Sequence, residues 1–369
     1  MLKHIPLDRV RWTNTAFLAA INLTALIAAP LYIWKYGLDI FQVALFLFYF
    51  VATGMSITLG YHRLFAHLSF KAKFPVRFAT LIFGACAFEN SAINWVSDHR
   101  RHHKHVDHDD DPYDITKGFL WAHIGWILFK LRPEPPVDNV NDLWKDKLVV
   151  WQHKYSIPIA IVCGLLLPAA LGYWYGGAES ALGAFLLAGV TRVFAVQHST
   201  FFINSLCHSI GRQPYSTRCS ARDSAIMALL TFGEGYHNYH HEFQHDYRNG
   251  IKPFSFDPTK WTIWLLSKVG LVSDLRRVPA ERILLAEMTE AKRQAEAKLN
   301  APPSAWETVG HQTRELLDQM TARVAKNYQE LEQSLHEKVE ISRQNMQEWR
   351  RETHELATML ARLNRRLPA

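Results

Sequence analysis

Four long apolar stretches restrict this chain to folds that lie within a lipid bilayer. The first, residues 13–34, is a 22-residue run without Asp, Glu, Lys or Arg. At about 1.5 Å per residue, a helix of that length crosses the roughly 30 Å hydrocarbon core of a membrane. Similar stretches follow at residues 40–60, 157–175 and 181–203. The sequence therefore predicts an all-α integral membrane protein with four transmembrane helices.

Short connections join these spans in pairs. Residues 35–39 link the first two spans, and Gly176-Gly177 separates the last two, so two helical hairpins are predicted. Lys35 is the one cation at the hairpin tips, whereas the N-terminal, central and C-terminal segments are rich in Lys and Arg. By the positive-inside rule these three segments and both termini are cytoplasmic, in a bacterial inner membrane or the endoplasmic reticulum.

Polar residues interrupt two of the apolar regions. Arg192, Gln197 and His198 lie in the fourth span. Because intramembrane polar groups normally face the interior of a bundle, we expect a buried or interfacial partner for Arg192. Gln197 and His198 fit equally well at a helix end that projects beyond the lipid. Residues 78–93 are apolar but too polar at their end for a span, and predict a helix in or under the interface.

The composition changes at residue 279. Residues 280–299 are rich in Ala, Glu, Lys and Arg, and residues 313–367 place apolar side chains three and four positions apart. This spacing predicts an amphipathic or coiled-coil-like arm. We therefore divide the chain into a membrane domain, residues 1–278, and a cytoplasmic helical extension, residues 279–369, which could mediate oligomerisation.

Histidine is concentrated in the polar regions. The chain has 19 histidines, and the pattern H-x-x-H-H occurs at residues 99–103 and again at residues 237–241. Positions i, i+3 and i+4 share one face of a helix, so the three imidazoles of each triplet are predicted to converge on one point. A single histidine is commonly a surface or core residue. Two such triplets on the same predicted side of a membrane indicate metal binding.

Further candidate ligands adjoin the spans. His62 and His67 follow the second span, and Asn204 and His208 follow the fourth. Five residues of α-helix rotate a side chain by about 140°, so we expect His62 and His67 to serve different metal ions. Nine imidazoles are too many for one ion, and imidazole suits iron, copper, nickel or zinc. Neighbouring carboxylates are predicted to orient the ligand rings: Asp98, Asp107, Asp109, Asp110, Asp111 and Glu234.

Charge and cysteine content narrow the class of protein. The net charge of +7 suits an anionic membrane surface or substrate as well as nucleic acid. Given the predicted spans, we expect membrane lipid and not nucleic acid as a partner. The four cysteines form no C-x-x-C pair and indicate no disulfide framework. A histidine-rich site for two metals at a membrane surface points to redox chemistry on a lipid-soluble substrate.

Four segments resemble the integral-membrane fatty acyl desaturases, specifically the delta-9, stearoyl-CoA type. They are GYHRLFAH (60–67), NWVSDHRRHHK (94–104), NSLCH (204–208) and GEGYHNYHH (233–241), within a similarity that extends from about residue 40 to 278. The resemblance implies an O2-dependent enzyme with two Fe ions, and a metal-bound water held by Asn204. The ligands it implies are His62, His67, His99, His102, His103, His208, His237, His240 and His241.

The same resemblance implies a long-chain acyl thioester as substrate, most simply acyl-CoA, whose chain enters a bent tunnel between the spans. Trp95 and Thr200 would surround the bend, and Phe50 and Gly54 would face the methyl end. Glu89 stands where animal members have a glutamine, and Ser97 replaces an arginine common in them. The substrate-binding residues implied are Phe50, Gly54, Glu89, Asn90, Trp95, Asp98, Lys130 and Thr200.

The electron source and two alternative functions complete the prediction. The sequence has no haem-binding H-P-G-G segment, so a ferredoxin, a rubredoxin-like protein or a cytochrome b5, with its reductase, is expected to supply electrons. A membrane hydroxylase of fatty acids or alkanes would use the same metal site, although the Asn204 and His208 pair favours a desaturase. A non-catalytic metal-binding protein is the remaining alternative, and its ligands would be distributed through the spans.

Overall fold

The computed structural model describes residues 7–130, 134–302, 306 and 309–364, and it is mostly helical. The one sheet among these residues is a short antiparallel pair of strands, β1 (Lys71–Ala72) and β2 (Val272–Ser273). The helices are α1 (Trp12–Tyr36), α2 (Ile40–Ala66), α3 (Phe74–Cys86), α4 (Ala92–His105), α5 (Trp121–Gly125 continuing into Trp126–Leu128), α6 (Asn141–Trp144), α7 (Lys147–His208), α8 (Ala225–Leu230), α9 (His237–Glu242), α10 (Pro258–Lys268), α11 (Ala280–Leu299), α12 (His311–Glu337) and α13 (Arg343–Leu363), with 3-10 turns at Leu7–Arg9 and Ile115–Lys117.

Three of these helices, α1, α2 and α7, are long and apolar enough to cross a membrane. The turn between α1 and α2 is built from local signals. Gly37 ends α1 with a φ of 81°, a conformation that glycine adopts without steric cost. Asp39 then caps α2, since its carboxylate accepts a hydrogen bond from the backbone N–H of Gln42 at 2.8 Å.

Helix α7 reverses direction near its middle. A straight helix of its 62 residues would be about 93 Å long, but Gly176 and Gly177 leave helical geometry. A Cβ atom on Gly172 would lie 2.5 Å from the carbonyl oxygen of Ser180, which places the two sides of the break against each other. Residues on the two sides of the break at Gly176-Gly177, which we call the two arms of α7, therefore contact each other there.

Arg192 is fully buried in the second arm of α7, and its partners are carbonyl groups. Its guanidinium donates to the carbonyl of Gly164 at 2.6 Å, to that of Ala188 at 2.8 Å and to that of Cys86. It also lies over the ring of Tyr49, 5.4 Å from the centroid. The expected buried partner exists, and Arg192 joins the two arms of α7 to the end of α3.

The apolar region at residues 78–93 is not one continuous helix. Helix α3 ends at Cys86, and Phe88 and Asn90 then adopt positive φ angles of 56° and 73°. Ser91 restarts the helix, because its hydroxyl caps α4 by accepting from the N–H of Asn94. The break turns the histidine-bearing helix α4 back over the ends of the long helices.

The described residues beyond 279 include three long helices with a core of their own. Helices α11, α12 and α13 bury Leu284, Leu317 and Leu356 completely. The single helical stretch expected at residues 313–367 is wrong, because Lys338 adopts a left-handed conformation that ends α12. The helices also contact the rest of the chain: the Glu290 carboxylate accepts a hydrogen bond from the backbone N–H of Thr217 at 3.3 Å.

Candidate metal centre

Five histidines form the first of two groups beneath the surface. Their potential ligand atoms all lie within 4.8 Å of one another. Four of the five residues are buried and His103 is partly exposed. The contacts join Nε2 atoms: His67 to His99 at 2.8 Å, and His240 to both His62 and His103 at 3.0 Å. The five residues come from α2 and its C-terminal cap, from α4 and from α9.

Four further histidines form the second group, again within 4.8 Å of one another: His102, His208, His237 and His241. The Nε2 atom of His237 lies 3.1 Å from those of His208 and His241, and the Nε2 atoms of His102 and His241 are 3.3 Å apart. The rings of His103 and His241 stack at 4.3 Å between the two groups. All nine predicted histidines are thus brought together, in a set of five and a set of four.

Each H-x-x-H-H triplet divides between the two groups, so the expectation that its three rings converge on one point is wrong. On α4, the i, i+4 pair His99 and His103 joins the first group, while His102 joins the second. On α9 the assignment is reversed, and His240 joins the first group. Residues i and i+4 are about 40° apart around a helix, whereas residues i and i+3 are about 60° apart in the other direction. The ring at i+3 therefore diverges from the pair at i and i+4.

The expected separation of His62 and His67 is also wrong, because residues Ser56–Ala66 form a π-helix. The N–H of His67 donates to the carbonyl of His62 at 3.1 Å, an i to i+5 bond that closes a wider turn than that of an α-helix. The two imidazole centroids are consequently 4.7 Å apart, and both residues belong to the first group. The local helix type therefore decides where His67 points.

Carboxylates and a hydroxyl orient several ligand rings through Nδ1. The Nδ1 of His62 lies 3.0 Å from Glu234, and that of His102 lies 2.9 Å from Asp111. His208 contacts the hydroxyl of Ser220 at 2.7 Å. An Nδ1–H that is hydrogen-bonded, as the contacts of His102 and His208 allow, leaves the Nε2 lone pair free for a metal.

The other predicted carboxylates have different positions. Asp107 accepts a hydrogen bond from the hydroxyl of Ser220 at 2.5 Å, and this hydroxyl in turn contacts His208. Asp109 and Asp110 are turned outward and lie 3.7 Å from Lys117 and 3.9 Å from His105 respectively. Asp98 faces the cavity described below.

A buried ionic network lies behind His62. The sequence did not predict it. The guanidinium of Arg63 donates to Glu234 at 2.9 Å and to Asp257 at 3.1 Å, and all three side chains are at most 2% exposed. Asn249 donates to the second oxygen of Glu234 at 2.6 Å. Although burial opposes ionisation, Arg63 and His62 hold the pKa of Glu234 below its usual value. The network fixes the carboxylate that orients His62.

The donor set fits metal ions. Burial, followed by repulsion between neighbouring imidazoles, holds the pKa values of six of the rings well below the ordinary histidine value: His67, His99, His103, His237, His240 and His241. Neutral rings keep a lone pair on one nitrogen, and several such nitrogens face each other at about 3 Å. A cation placed between them would relieve that crowding and satisfy the lone pairs.

A cavity of about 170 Å³ opens beside both histidine groups. His62, His99, His102 and His237 form part of its wall. Among the predicted residues, its wall also contains Asn204, Glu89, Asn90, Trp95, Asp98 and Thr200. The metal groups and six of the predicted substrate-contacting or water-holding positions thus share one enclosed space.

Glu89 links two other residues in the wall of this cavity. Its Oε1 accepts a hydrogen bond from the Thr200 hydroxyl at 2.8 Å, and its Oε2 accepts one from the Trp95 indole at 3.3 Å. The Trp95 ring stacks on His99 with centroids 4.9 Å apart. Burial raises the pKa of Glu89 to about 8, so the carboxyl group is mainly protonated at neutral pH.

Phe50, Gly54 and Lys130 do not line the cavity. Phe50 and Gly54 both contact the ring of Phe232: the aromatic centroids are 5.3 Å apart, and a Cβ on Gly54 would lie 2.4 Å from that ring. Lys130 is exposed, and its N–H donates to the carbonyl of Arg9 at 2.8 Å. The positions predicted for the methyl end therefore surround a phenylalanine that the sequence analysis did not identify.

The sequence prediction also missed other residues in the wall of the cavity. Arg11 and Asn14, at the start of α1, line it together with Tyr113 and Trp126. Arg11 lies 3.7 Å from Glu134. Arg11 could have been identified from its position in the sequence, because a cation directly before an apolar span can reach the membrane surface.

These features describe a helical protein with three helices long and apolar enough to cross a membrane, and with two groups of histidines, able to hold metal ions, next to a cavity. The sequence profile of the family "Fatty acid desaturase" matches residues 40–248. The chain belongs to this family.

Named relatives agree with that assignment. Acyl-CoA desaturase 1 of Saccharomyces cerevisiae is 38% identical over 294 residues, which cover 77% of this chain and 57% of the yeast protein. A probable acyl-CoA desaturase of Schizosaccharomyces pombe is 42% identical over 64% of this chain and 49% of its own length. A Delta(9)-fatty-acid desaturase of Caenorhabditis elegans is 34% identical over 76% of this chain and 84% of its own length. The chain thus spans about half the length of the two fungal relatives.

Proposed function

We propose that this protein is a di-iron, O2-dependent desaturase that introduces a cis double bond at the delta-9 position of a saturated long-chain acyl-CoA. The observation that carries the proposal is the opening of both histidine groups onto one cavity whose wall includes Trp95, Glu89 and Thr200. The names of the relatives support the reaction, the thioester and the position of the double bond.

The proposed topology has four transmembrane helices in two hairpins. α1 and α2 form the first hairpin, and the two arms of α7 form the second, with Gly176-Gly177 at its tip. Packing of Gly172 against Ser180 supports this reading. Both termini, the histidine groups and the three helices beyond residue 279 would be cytoplasmic, on the side rich in Lys and Arg.

The cavity residues would position the acyl chain. The head group would lie at the end lined by Arg11 and Asp98, with Lys130 on the nearby surface, because the phosphates of CoA require cations. The chain would bend between Trp95 and Thr200, which Glu89 holds in place through two hydrogen bonds. Holding one pair of methylenes against the metal site is the main task of the protein, since the methylenes of a saturated chain differ little in reactivity.

Bound iron would supply the redox chemistry for this reaction, in which O2, two external electrons and two protons take up two hydrogens from adjacent methylenes and leave as two waters. The nine histidines would hold the ions, five around one and four around the other, with Asn204 in the wall of the cavity that both groups share. Glu234 and Asp111 would keep His62 and His102 in the tautomer that presents Nε2. The apolar walls would exclude bulk water.

Electrons would come from a separate protein, a ferredoxin, a rubredoxin-like protein or a cytochrome b5, with its reductase. His103 and His241 are the two partly exposed residues among the nine histidines, and we propose that electrons enter past them. The helices α11–α13 carry no metal-ligand group among their described residues, and we assign residues 279–369 to packing or oligomerisation.

The test is expression in a host that lacks unsaturated fatty acids. We expect growth to be restored, with a cis double bond located at carbon 9 by mass spectrometry and iron bound to the purified protein. His102→Ala and His240→Ala should abolish both properties, whereas His354→Ala, an exposed histidine on α13, should abolish neither. A product that gains one oxygen would identify a hydroxylase, and iron binding without O2 consumption would identify a non-catalytic metal-binding protein.

A further inference from the structure

Helix α10 is apolar on two opposite sides. Ile263 is fully buried on the inner side, whereas Trp261, Trp264 and Leu265 are 41%, 50% and 58% exposed on the outer side. The outer three residues stand at positions i, i+3 and i+4, so they form one continuous face. A helix that is hydrophobic all round is normally buried in a protein core or in a membrane, yet no described element covers this face.

A second helix with exposed apolar side chains lies close to α10. Helix α8 exposes Ile226, Leu229 and Leu230 by 74%, 61% and 49%. The two helices are tied together through residue 232, since the hydroxyl of Thr259 on α10 donates to the carbonyl of Phe232 at 3.0 Å.

The loop before α10 adds an exposed aromatic ring. Phe254 is 97% exposed, and the Trp261 indole fixes its loop by donating to the carbonyl of Pro253 at 3.2 Å. We call α8, α10 and this loop the outer apolar face. Contiguous exposed apolar surface of this kind marks an interaction site.

The depth of the outer apolar face follows from its contacts with the long helices. Thr259, in the first turn of α10, lies 2.8 Å from Thr58 of α2. Counting from Ile40, Thr58 lies about 27 Å along that helix. The carbonyl of Leu230 in α8 accepts from Ser199 at 2.6 Å, and Ser199 is about 33 Å from the turn at Gly177. Both helices therefore sit near one edge of a hydrocarbon layer roughly 30 Å thick.

The side chains suit that depth. Tryptophan is enriched where hydrocarbon meets the polar head groups, because its ring is apolar and its N–H is polar. Lys268 is exposed at the end of α10, and its ammonium lies 5.4 Å from the centroid of the Trp264 ring. A lysine at this position can extend its charge to the head groups while its stem covers apolar surface.

We propose that the outer apolar face lies in the cytoplasmic interface of the same bilayer that holds the long helices, so that its partner is lipid. The inference rests on the four-span topology proposed above. Its consequence is that the metal-bearing cap is held against the membrane at α8 and α10 as well as at the ends of the spans. Phe232, which joins these helices and packs on Gly54, would then separate the lipid from the interior.

The test uses nitroxide labels on the full chain, reconstituted in phosphatidylcholine vesicles. Single cysteines replace Leu265 or Ile226, in a background where the partly exposed Cys163 and Cys219 are changed to alanine. Leu316, an exposed leucine of α12 (47%), is the matched control. Collision rates of each label with O2, which concentrates in lipid, and with a water-soluble nickel chelate report its depth.

We expect the ratio of O2 to nickel collisions to be several-fold higher at Leu265→Cys and Ile226→Cys than at Leu316→Cys. Equal ratios would overturn the inference. Protection from both reagents, or dipolar broadening that grows with the protein-to-lipid ratio, would also overturn it, because protein would then cover the face.

Two separate measurements distinguish failure of this inference from failure of the proposed function. A cysteine at Leu38, in the turn between α1 and α2, reports topology through its reaction with an impermeant thiol reagent. The position of the double bond in the product reports the activity. A water-exposed label at Leu265→Cys with the expected topology and product would refute the lipid contact alone.

Discussion

Replacing Glu89 with glutamine should stabilise the metal-free protein at neutral pH. The carboxyl group contacts Thr200 and Trp95, no cation pairs with it among the described residues, and its remaining exposure is to the cavity. Burial therefore raises its pKa from 4.5 to about 8. Glutamine has the same shape and can accept from Trp95 while donating to Thr200, whose hydroxyl can turn to the Val196 carbonyl at 3.2 Å.

The magnitude follows from linkage between protonation and folding. An acid with a raised folded pKa binds its proton more tightly in the folded state, so stability is lost as pH rises from the unfolded pKa to the folded one. Each pH unit in that window costs about 1.4 kcal/mol. Between pH 4.5 and pH 7 the free energy of unfolding of the wild type falls by about 3 kcal/mol, whereas that of the glutamine variant does not. The difference between the two proteins stops growing near pH 8.

Thermal unfolding of chelator-treated protein between pH 4.5 and pH 8 measures this difference. We expect the variant to melt about 4 °C above wild type at pH 7, for a chain of this size, and at the same temperature at pH 4.5. Glu340→Gln, an exposed position on the extension, controls for loss of a negative charge. Parallel curves for wild type and Glu89→Gln would show that Glu89 is ionised in the folded protein and would refute the argument.

Three further changes test the site. Asp111→Asn should weaken iron binding by about 10–100-fold in a chelator competition, because it removes the carboxylate that orients His102; Asp109→Asn, on an exposed side chain, should not. Asp257→Ala should lower the free energy of unfolding by about 3–5 kcal/mol in denaturant titrations, because the buried guanidinium of Arg63 loses a partner. An equal loss when a surface carboxylate is replaced with alanine would contradict this prediction. Arg11→Gln should raise KM for acyl-CoA with little change in kcat, and a fall in kcat alone would exclude a head-group role.

The long helices and the identities of the ligands could be predicted from the sequence because both depend on local patterns. Residues 13–34 and 40–60, which contain no charged side chain, lie within α1 and α2. The turn at Gly176-Gly177 is a two-residue signal of the same kind. Six of the nine histidines could be recognised because the H-x-x-H-H spacing occurs twice, and His62, His67 and His208 through the short segments that resemble the desaturases.

The arrangement of those ligands could not be read locally. The position of His67 depends on a π-helix, and the sequence analysis assumed the commoner α-helical turn. The partners of Arg63 lie 171 and 194 residues away along the chain. No spacing rule connects such positions, so the tertiary fold was needed to find Glu234 and Asp257 beside the same guanidinium.

The division of each triplet has a consequence for assembly of the site. Because α4 gives an i, i+4 pair to the first group and one ring to the second, and α9 does the reverse, neither group is complete unless both helices are in place. Helix α2 supplies His62 to the first group, and the end of α7 supplies His208 to the second. The two metal positions therefore depend on one shared packing of α4 against α9. Filling one position stabilises the helices that form the other, so metal loading should be cooperative.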